Sequence, residues 1–345
     1  MNEFWNLDPI YKGFADPAFE AELEEVKGLV AEYAAFAGAL AATSTSGPGI
    51  CLKSEAINLA VIDELPLVII DVQRGGPSTG LPTKSEQTDL LQSLYGRNGE
   101  SPMPVIAALS PTDCFDAAYE ASKMALEHLT PVILLTDAFI ANGSAAWKLP
   151  TMDELPTITP HFATPEMKGN YTPYFRDEET KVRYWAVPGQ EGYTHILGGL
   201  EKDGKTGAIS TDPDNHDMMC RLRAEKVAKV ADELPTPEIM GAADADLLVI
   251  GWGGTKGHLE AAVRDLQQEG KSIAHLHFNY LNPMPYGVEE LLKGHKHIVV
   301  CELNEGQFAA YLRQNFQNYT FEQYNKTEGQ PFTVVELKEK FNSLL

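Results

Sequence analysis

Residues 74–80, Arg74-Gly75-Gly76-Pro77-Ser78-Thr79-Gly80, come one residue after the apolar run LPLVIIDV (65–72) and carry the residue types of an anion site. A guanidinium at the end of a strand can grip a carboxylate through two parallel hydrogen bonds, which a lysine ammonium cannot match. Ligands of open α/β sheets collect beyond the carboxyl ends of the strands. Gly75, Gly76 and Gly80 let the backbone approach and turn, and Ser78 and Thr79 offer hydroxyls. A structural turn whose arginine bonds backbone carbonyls accounts for the same residues equally well.

Two further turns have related chemistry. TSTSGPG (43–49) precedes a helical stretch from Cys51 to Glu64, and backbone amides at a helix start favour anionic groups. Gly251-Trp252-Gly253-Gly254-Thr255 has the same arrangement and the same ambiguity. Neither is a GxxxxGK[ST] or GxGxxG loop, so the case for a nucleotide is weak. His275 and His277 alternate on one strand face, and His295 and His297 are spaced alike. Carboxylates or cysteines at metal spacing do not accompany them, so no metal site is expected. Cys51, Cys114, Cys220 and Cys301 lie far apart without a CxxC pair, which argues against a disulfide framework or a cysteine-ligated cluster. No GxSxG nucleophile signature is present.

The elements that must position these residues are legible in the hydrophobic pattern. Residues 18–38 read as a helix, with glutamates early and a small-residue finish, AEYAAFAGALAA. LPLVIIDV, MPVIAALS (103–110) and TPVILLTDAFIA (130–141) are short apolar runs of the kind buried on both faces of a parallel sheet. SPTDCFDAAYEASKMALEHL has helical spacing, with Ser110 placed as N-cap and Pro111 at the first helical position. Strand, helix and strand in this order imply crossover units on a parallel sheet. From Lys148 to about Ala242, prolines at 150, 156, 160, 165, 173 and 188 predict a long irregular connection, closed by a helix over 218–234. A connection of that length wraps a surface or carries function. A second alternation follows: ADLLVIGWGG (245–254), a helix near 256–269, SIAHLHFNYL (272–281), a helix near 286–293 and HIVVCELN (297–304). A helix near 306–317 and the apolar FTVVEL (332–337) finish it. The expected fold class is α/β, with a parallel-sheet domain over 1–150, a connecting segment over 151–242 and a smaller α/β domain over 243–345.

Composition narrows the partners. The 345 residues carry 27 basic and 49 acidic side chains, a net charge of −22, which repels phosphate backbones and argues against nucleic acid. No basic flank and apolar stretch open the chain, and no run of about 18 apolar residues occurs, so neither a signal peptide nor a membrane span is expected. The expectation is a cytoplasmic protein.

DVQRGGPSTGLPTKSEQTDLLQSLYGRNGE, preceded by ATSTSGPG, closely resembles the alpha subunit of 2-oxoacid:ferredoxin oxidoreductases, particularly the 2-oxoglutarate type. The likeness continues through TPVILLTDAFIA, VPGQEGYTHILGGLEKDGKTGAISTDPDNHDMMCRLRAEKVAKV, DLLVIGWGGTKGHLEAAVRDL, YLNPMPY and HIVVCELNEGQFAAYLR, over roughly residues 35 to 317. The resemblance implies a three-layer, pyrimidine-type thiamine diphosphate-binding domain followed by a transketolase-C-terminal-like domain. It implies CoA-dependent oxidative decarboxylation of a 2-oxoacid, with electrons passed to ferredoxin. It assigns the diphosphate, Mg2+ and the [4Fe-4S] cluster to a beta subunit, with thiamine diphosphate at the interface. By the same resemblance Arg74 holds the substrate carboxylate, and Thr45, Ser46 and Gly47 line the cofactor pocket. Glu24 falls where the family places the glutamate that hydrogen-bonds the pyrimidine N1′.

The N-terminal part and one position in the second domain depart from the pattern. No YPxTP-like segment precedes TSTSGPG, Glu25 and Lys27 stand beside Glu24 where the family has apolar residues, and Phe278 replaces a residue that is basic in many relatives. A solvated helix face accounts for Glu24 as well as catalysis does. Two further readings stay open on these grounds: a non-catalytic remnant or assembly module that keeps the partner interface, and a free-standing protein that binds small anions.

Overall fold

The apolar runs form the centres of two five-stranded sheets in the computed structural model, which describes residues 30–345. The first sheet is built from β1 (Ala41–Thr45), β2 (Leu67–Gln73), β3 (Val105–Ala107), β4 (Pro131–Asp137) and a late strand, β8 (Tyr280–Asn282), in the order β1-β2-β4-β3-β8. Its first four strands are parallel, and β8 joins β3 antiparallel. β2 and β4 are apolar and nearly continuously buried, as expected of strands covered on both faces. The second sheet contains β5 (Ile239–Met240), β6 (Leu247–Trp252), β7 (Ile273–Phe278), β9 (His297–Glu302) and β10 (Glu322–Asn325), in the order β10-β9-β6-β7-β5.

Several local expectations are corrected. Thr43–Thr45, read as part of a turn, belong to β1, which pairs with β2 alone. Small polar residues suit this edge strand, whose alternate side chains face solvent. The helix after β1 starts at Gly47 and is interrupted at Lys53, giving Gly47–Leu52 and Ser54–Ile62. Ser110 does not cap a helix. Its Oγ accepts the Asp113 amide at 3.2 Å, the Asp113 carboxylate accepts the Leu109 amide at 2.8 Å, and the helix begins at Cys114. FTVVEL opens a helix, Val334–Asn342, because Thr333 and Glu336 form a capping box that satisfies its first amides. The helical expectation for 18–38 is met over 30–36; its earlier part, with Glu24, lies outside the described residues.

The long connection is held by buried charge. Glu64, fully buried, pairs with Arg176, whose NH1 lies 2.8 Å from Oε2, and with Lys226. Lys226 also donates to the Leu129 carbonyl at 2.7 Å, and Arg183 donates to the carbonyls of Asp63 and Glu64 at 3.2 Å. Burial alone would raise the Glu64 carboxyl, but Arg176 and Lys226 outweigh it and hold the group well below the usual carboxylate range. Residues far apart in sequence are thereby fastened to the end of the Ser54–Ile62 helix. The closing helix, Pro213–Ala228, starts where the Asp212 carboxylate accepts the Asp214 and Asn215 amides.

The second sheet packs onto the first through Gln87, which is fully buried. Its side chain donates to the Trp252 carbonyl at 2.8 Å and accepts the Leu303 amide at 3.1 Å. Its backbone amide donates to the Leu303 carbonyl at 2.9 Å, and its carbonyl accepts from Asn304 Nδ2 at 2.7 Å. Buried Glu302 caps the next helix, Gln307–Asn315, by accepting the amides of Phe308 and Ala309 at 2.8 and 3.0 Å. Phe278 is fully buried edge-to-face against Phe308 at 5.2 Å, so the departure at this position serves core packing.

Candidate active site

β1 and β2 run in register, with Thr45 opposite Asp71, so the TSGPG turn and Arg74 leave the same end of the sheet side by side. Arg74 is half-buried, and no hydrogen bond reaches its guanidinium from the described residues; Nε is a buried donor without an acceptor. The alternative of a structural arginine bonded to carbonyls therefore does not describe it. A buried unmatched donor is costly unless a ligand or water supplies the acceptor.

The loop after Arg74 is closed on itself. Gly75 donates to the Lys84 carbonyl and accepts from the Leu81 amide, each at 3.0 Å, and residues 76–84 are exposed. Gly80 has a positive φ of 45°, and a Cβ there would lie 1.7 Å from the Gly75 carbonyl oxygen. The loop returns directly into Ser85, Glu86 and Gln87, all buried. Ser85 Oγ bonds Asp137 Oδ1 at 3.0 Å, and the same oxygen caps the Ala138–Asn142 helix. A Cβ on Gly254 would lie 2.1 Å from Asp137 Oδ2, so the glycine turn of the second sheet sits directly against the first.

At the TSGPG turn the anion beside the helix start is a side chain of the protein itself. The Asp89 carboxylate packs against Gly47, although Asp89 stands at the N-cap of another helix, Leu90–Tyr95, and does not cap it. A Cβ on Gly47 would fall 2.3 Å from Asp89 Oδ1, and one on Gly49 would fall 1.8 Å from Thr45 Oγ1. The two glycines are thus fixed by two neighbouring polar side chains. The Ser46 hydroxyl makes no capping bond to the turn.

Asp71 and Asp89 were not among the residues that sequence reasoning singled out for the site. Asp71 is fully buried on β2, and neither of its carboxyl oxygens has a hydrogen-bond partner. Burial, then the charge of Asp89, push its carboxyl well above the usual range. Burial likewise pushes Asp89 up to about 6, against the opposing Gly47 amide and Arg74. The available signal was a charged residue inside an otherwise apolar strand, because an unpaired carboxylate is rarely buried.

The remaining candidates resolve differently. His277 Nε2 donates to the Gly253 carbonyl at 2.9 Å, so its Nδ1 accepts from His275 Nε2 at 3.2 Å. Burial, reinforced by Lys256, lowers His275 to about 3, so it is neutral and serves the glycine turn. His295 donates to the Ala245 carbonyl and His297 bonds Glu322. Glu201, His216 and Cys220 cluster among the described residues, but Arg223 already bonds both carboxylate oxygens of Glu201. Their common anchor is an ion pair.

Comparison with known proteins identifies the family. Residues 19–206 match the family described as pyruvate flavodoxin/ferredoxin oxidoreductase, thiamine diphosphate-binding. The 2-oxoglutarate oxidoreductase subunit KorA of Mycobacterium tuberculosis is 48% identical over 95% of this chain and 50% of its own length. The 2-oxoglutarate synthase subunit KorA of Methanocaldococcus jannaschii is 31% identical over 83% of this chain and 76% of its own. A solved 2-oxoglutarate:ferredoxin oxidoreductase from Magnetococcus marinus, with 2-oxoglutarate, coenzyme A and succinyl-CoA bound, superposes with a TM-score of 0.87 at 31% identity. The match covers 93% of this chain and 56% of that one. A split-gene transketolase with a TM-score of 0.51 and 11% identity shares the fold alone. The chain spans about half the length of the first of these relatives. Among the described residues no helix is long and apolar enough to cross a membrane. The chain belongs to the pyruvate flavodoxin/ferredoxin oxidoreductase family and, within it, to the alpha subunits of the 2-oxoacid:ferredoxin oxidoreductases.

Proposed function

We propose that this chain, with a beta subunit, converts a 2-oxoacid and CoA to acyl-CoA and CO2 and passes the released electron pair to ferredoxin, with 2-oxoglutarate as the favoured substrate. Residues 1–150 would form the pyrimidine-type half, 151–242 the connecting segment and 243–345 the transketolase-C-terminal-like domain, with Ile239–Met240 pairing into the second sheet and Tyr280–Asn282 returning to the edge of the first. The observation that carries the reading is the unmatched guanidinium of Arg74 beside the TSGPG turn.

The described residues fit the substrate side of such a site. Arg74 would bind the carboxylate of the oxoacid and orient its keto carbon over the turn, where Thr45 and Ser46 offer hydroxyls and Gly47 a close backbone. Thiamine diphosphate, when bound, supplies the nucleophilic carbon and the electron sink for decarboxylation. Its diphosphate, Mg2+ and the [4Fe-4S] cluster are assigned to the beta subunit, and Glu24 to the pyrimidine nitrogen. Leu52, in the helix after the TSGPG turn, and Leu81, in the Arg74 loop, are 62% and 44% exposed and suit a surface that the beta subunit covers and dries.

Reconstitution with a beta subunit tests the reading. Arg74→Ala is expected to lower kcat/KM for 2-oxoglutarate by about 10- to 100-fold, the value of a charge-assisted bond, while the complex still assembles. Unchanged turnover in that variant would remove Arg74 from the site. Co-purification of the wild type without viologen reduction, with thiamine diphosphate added, would make the chain an assembly module.

A further inference from the structure

The loop that follows Arg74 is packed from outside by a segment near the end of the chain. Gly329, in the connection between β10 and the Val334–Asn342 helix, is buried and has a positive φ of 65°. A Cβ there would lie 2.8 Å from Lys84 Cβ and 3.0 Å from Leu81 Cδ1, so a glycine is what lets the two loops meet. Leu81 and Lys84 are the residues that close the Arg74 loop, through the Gly75 carbonyl and the Gly75 amide. The connection that carries Gly329 is itself tied down. The Lys326 amide donates to the Glu302 carbonyl at 3.1 Å. Its ammonium turns back onto the Pro331 carbonyl at 3.1 Å and Glu336 Oε1 at 2.7 Å. The same ammonium lies 5.9 Å from the centre of the Phe332 ring, which is buried.

We infer that Gly329 and Lys326 are positioning residues for Arg74: the loop stapled by Lys326 buttresses Leu81 and Lys84 and so fixes the Gly75 turn beside the arginine. The ligand part of this inference rests on the proposed role of Arg74; the contact between the loops does not. Residues 76–84 are exposed, and their remaining bonds are local: the Gly80 amide to the Pro77 carbonyl at 3.0 Å and the Lys84 amide to the Leu81 carbonyl at 3.3 Å. Exposed backbone hydrogen bonds with few apolar contacts open readily, so packing from Gly329 is what holds this loop closed. Gly75 follows Arg74 directly, and opening its two bonds would free the end of β2. A two-pronged contact with a carboxylate depends on the guanidinium being held in one place. Loosening the buttress therefore costs substrate binding while the chemistry, once substrate is bound, proceeds as before.

Gly329→Asn tests the contact, because asparagine tolerates a positive φ and the added side chain meets Lys84 and Leu81. Hydrogen exchange of the full chain is expected to quicken by about tenfold over residues 75–84 and to stay unchanged over β2 and β4. In the complex reconstituted with a beta subunit, KM for 2-oxoglutarate should rise by about five- to tenfold at unchanged kcat. Lys84→Gly removes the Cβ that the new side chain meets, so the double variant should return to the KM of Lys84→Gly alone. Lys326→Met should raise KM in the same way, and Lys326→Arg, which keeps a cation for Pro331 and Glu336, should restore it. Should Gly329→Asn fail to fold, the Lys326 pair decides by the same two readings. Exchange over 75–84 that neither Gly329→Asn nor Lys326→Met alters would overturn the buttress. Faster exchange with an unchanged KM, while Arg74→Ala still lowers kcat/KM, would overturn the positioning role. Faster exchange with no effect of Arg74→Ala on 2-oxoglutarate would support the contact between the loops and overturn the role of Arg74.

Discussion

Gly47 and Asp89 occupy each other's space: a Cβ at residue 47 would lie 2.3 Å from Asp89 Oδ1. The glycine of TSGPG and the aspartate of SEQTDLL are therefore one construction, made by segments about forty residues apart. Strand β1 supplies one side, and the buried return of the Arg74 loop supplies the other.

Gly47→Ala is expected to cost about 1–3 kcal/mol, the usual penalty of forcing extra volume into a packed site. Chemical denaturation would read it as a lower midpoint with an unchanged slope. Asp89→Gly in the same chain should recover part of the loss, because residues in direct contact are not additive.

Arg74→Lys keeps the charge but not the two-pronged geometry. A single ammonium cannot satisfy both oxygens of a carboxylate in the fixed frame set by β2. Weaker binding of 2-oxoglutarate, with the melting temperature unchanged, is the expected pair of results. A calorimetric titration beside a thermal melt distinguishes this from a folding defect.

Glu64→Gln should destabilise the chain by about 3–5 kcal/mol, since Arg176 and Lys226 would remain buried without their counter-charge. The folded-state carboxyl is held below its unfolded value, so its contribution is present above the ordinary glutamate range and is lost as pH falls through the folded value. The stability difference between wild type and variant should therefore be largest at neutral pH and shrink on acidification. Urea melts of both proteins across that range measure it.

Gln87→Leu would leave the Trp252 carbonyl and the Leu303 amide without the side-chain partners that Gln87 gives them. Each buried group left unsatisfied costs about 1–3 kcal/mol. Limited proteolysis should then cut the chain between the two sheets faster than in the wild type. Cleavage at an unchanged rate would mean that the backbone bonds of Gln87 hold the sheets together by themselves.

The strands β2, β4, β6, β7 and β9 were legible because each is an apolar run buried on both faces, and such runs have few other fates. β1 was not, because AATST has the composition of a turn and becomes a strand only by pairing with β2. FTVVEL misled in the opposite direction: its apolar run fits a strand, but the Thr333–Glu336 capping box starts a helix. Arg74 was visible as a residue type at a strand end, although sequence could not say whether its guanidinium was already bonded. That answer depends on which carbonyls and carboxylates the fold brings within reach.

The sequence by itself determined the α/β class, the family to which the chain belongs and the place of the glycine-rich Arg74 segment at a strand end. These follow from short-range pattern and from motifs read in order. Only the tertiary structure decided that the TSGPG turn rests on Asp89, that Asp71 lies unpaired behind it and that Glu64 fastens the long connection. Each of those depends on side chains meeting across long stretches of chain, where burial and charge act through distance in space and not along the sequence.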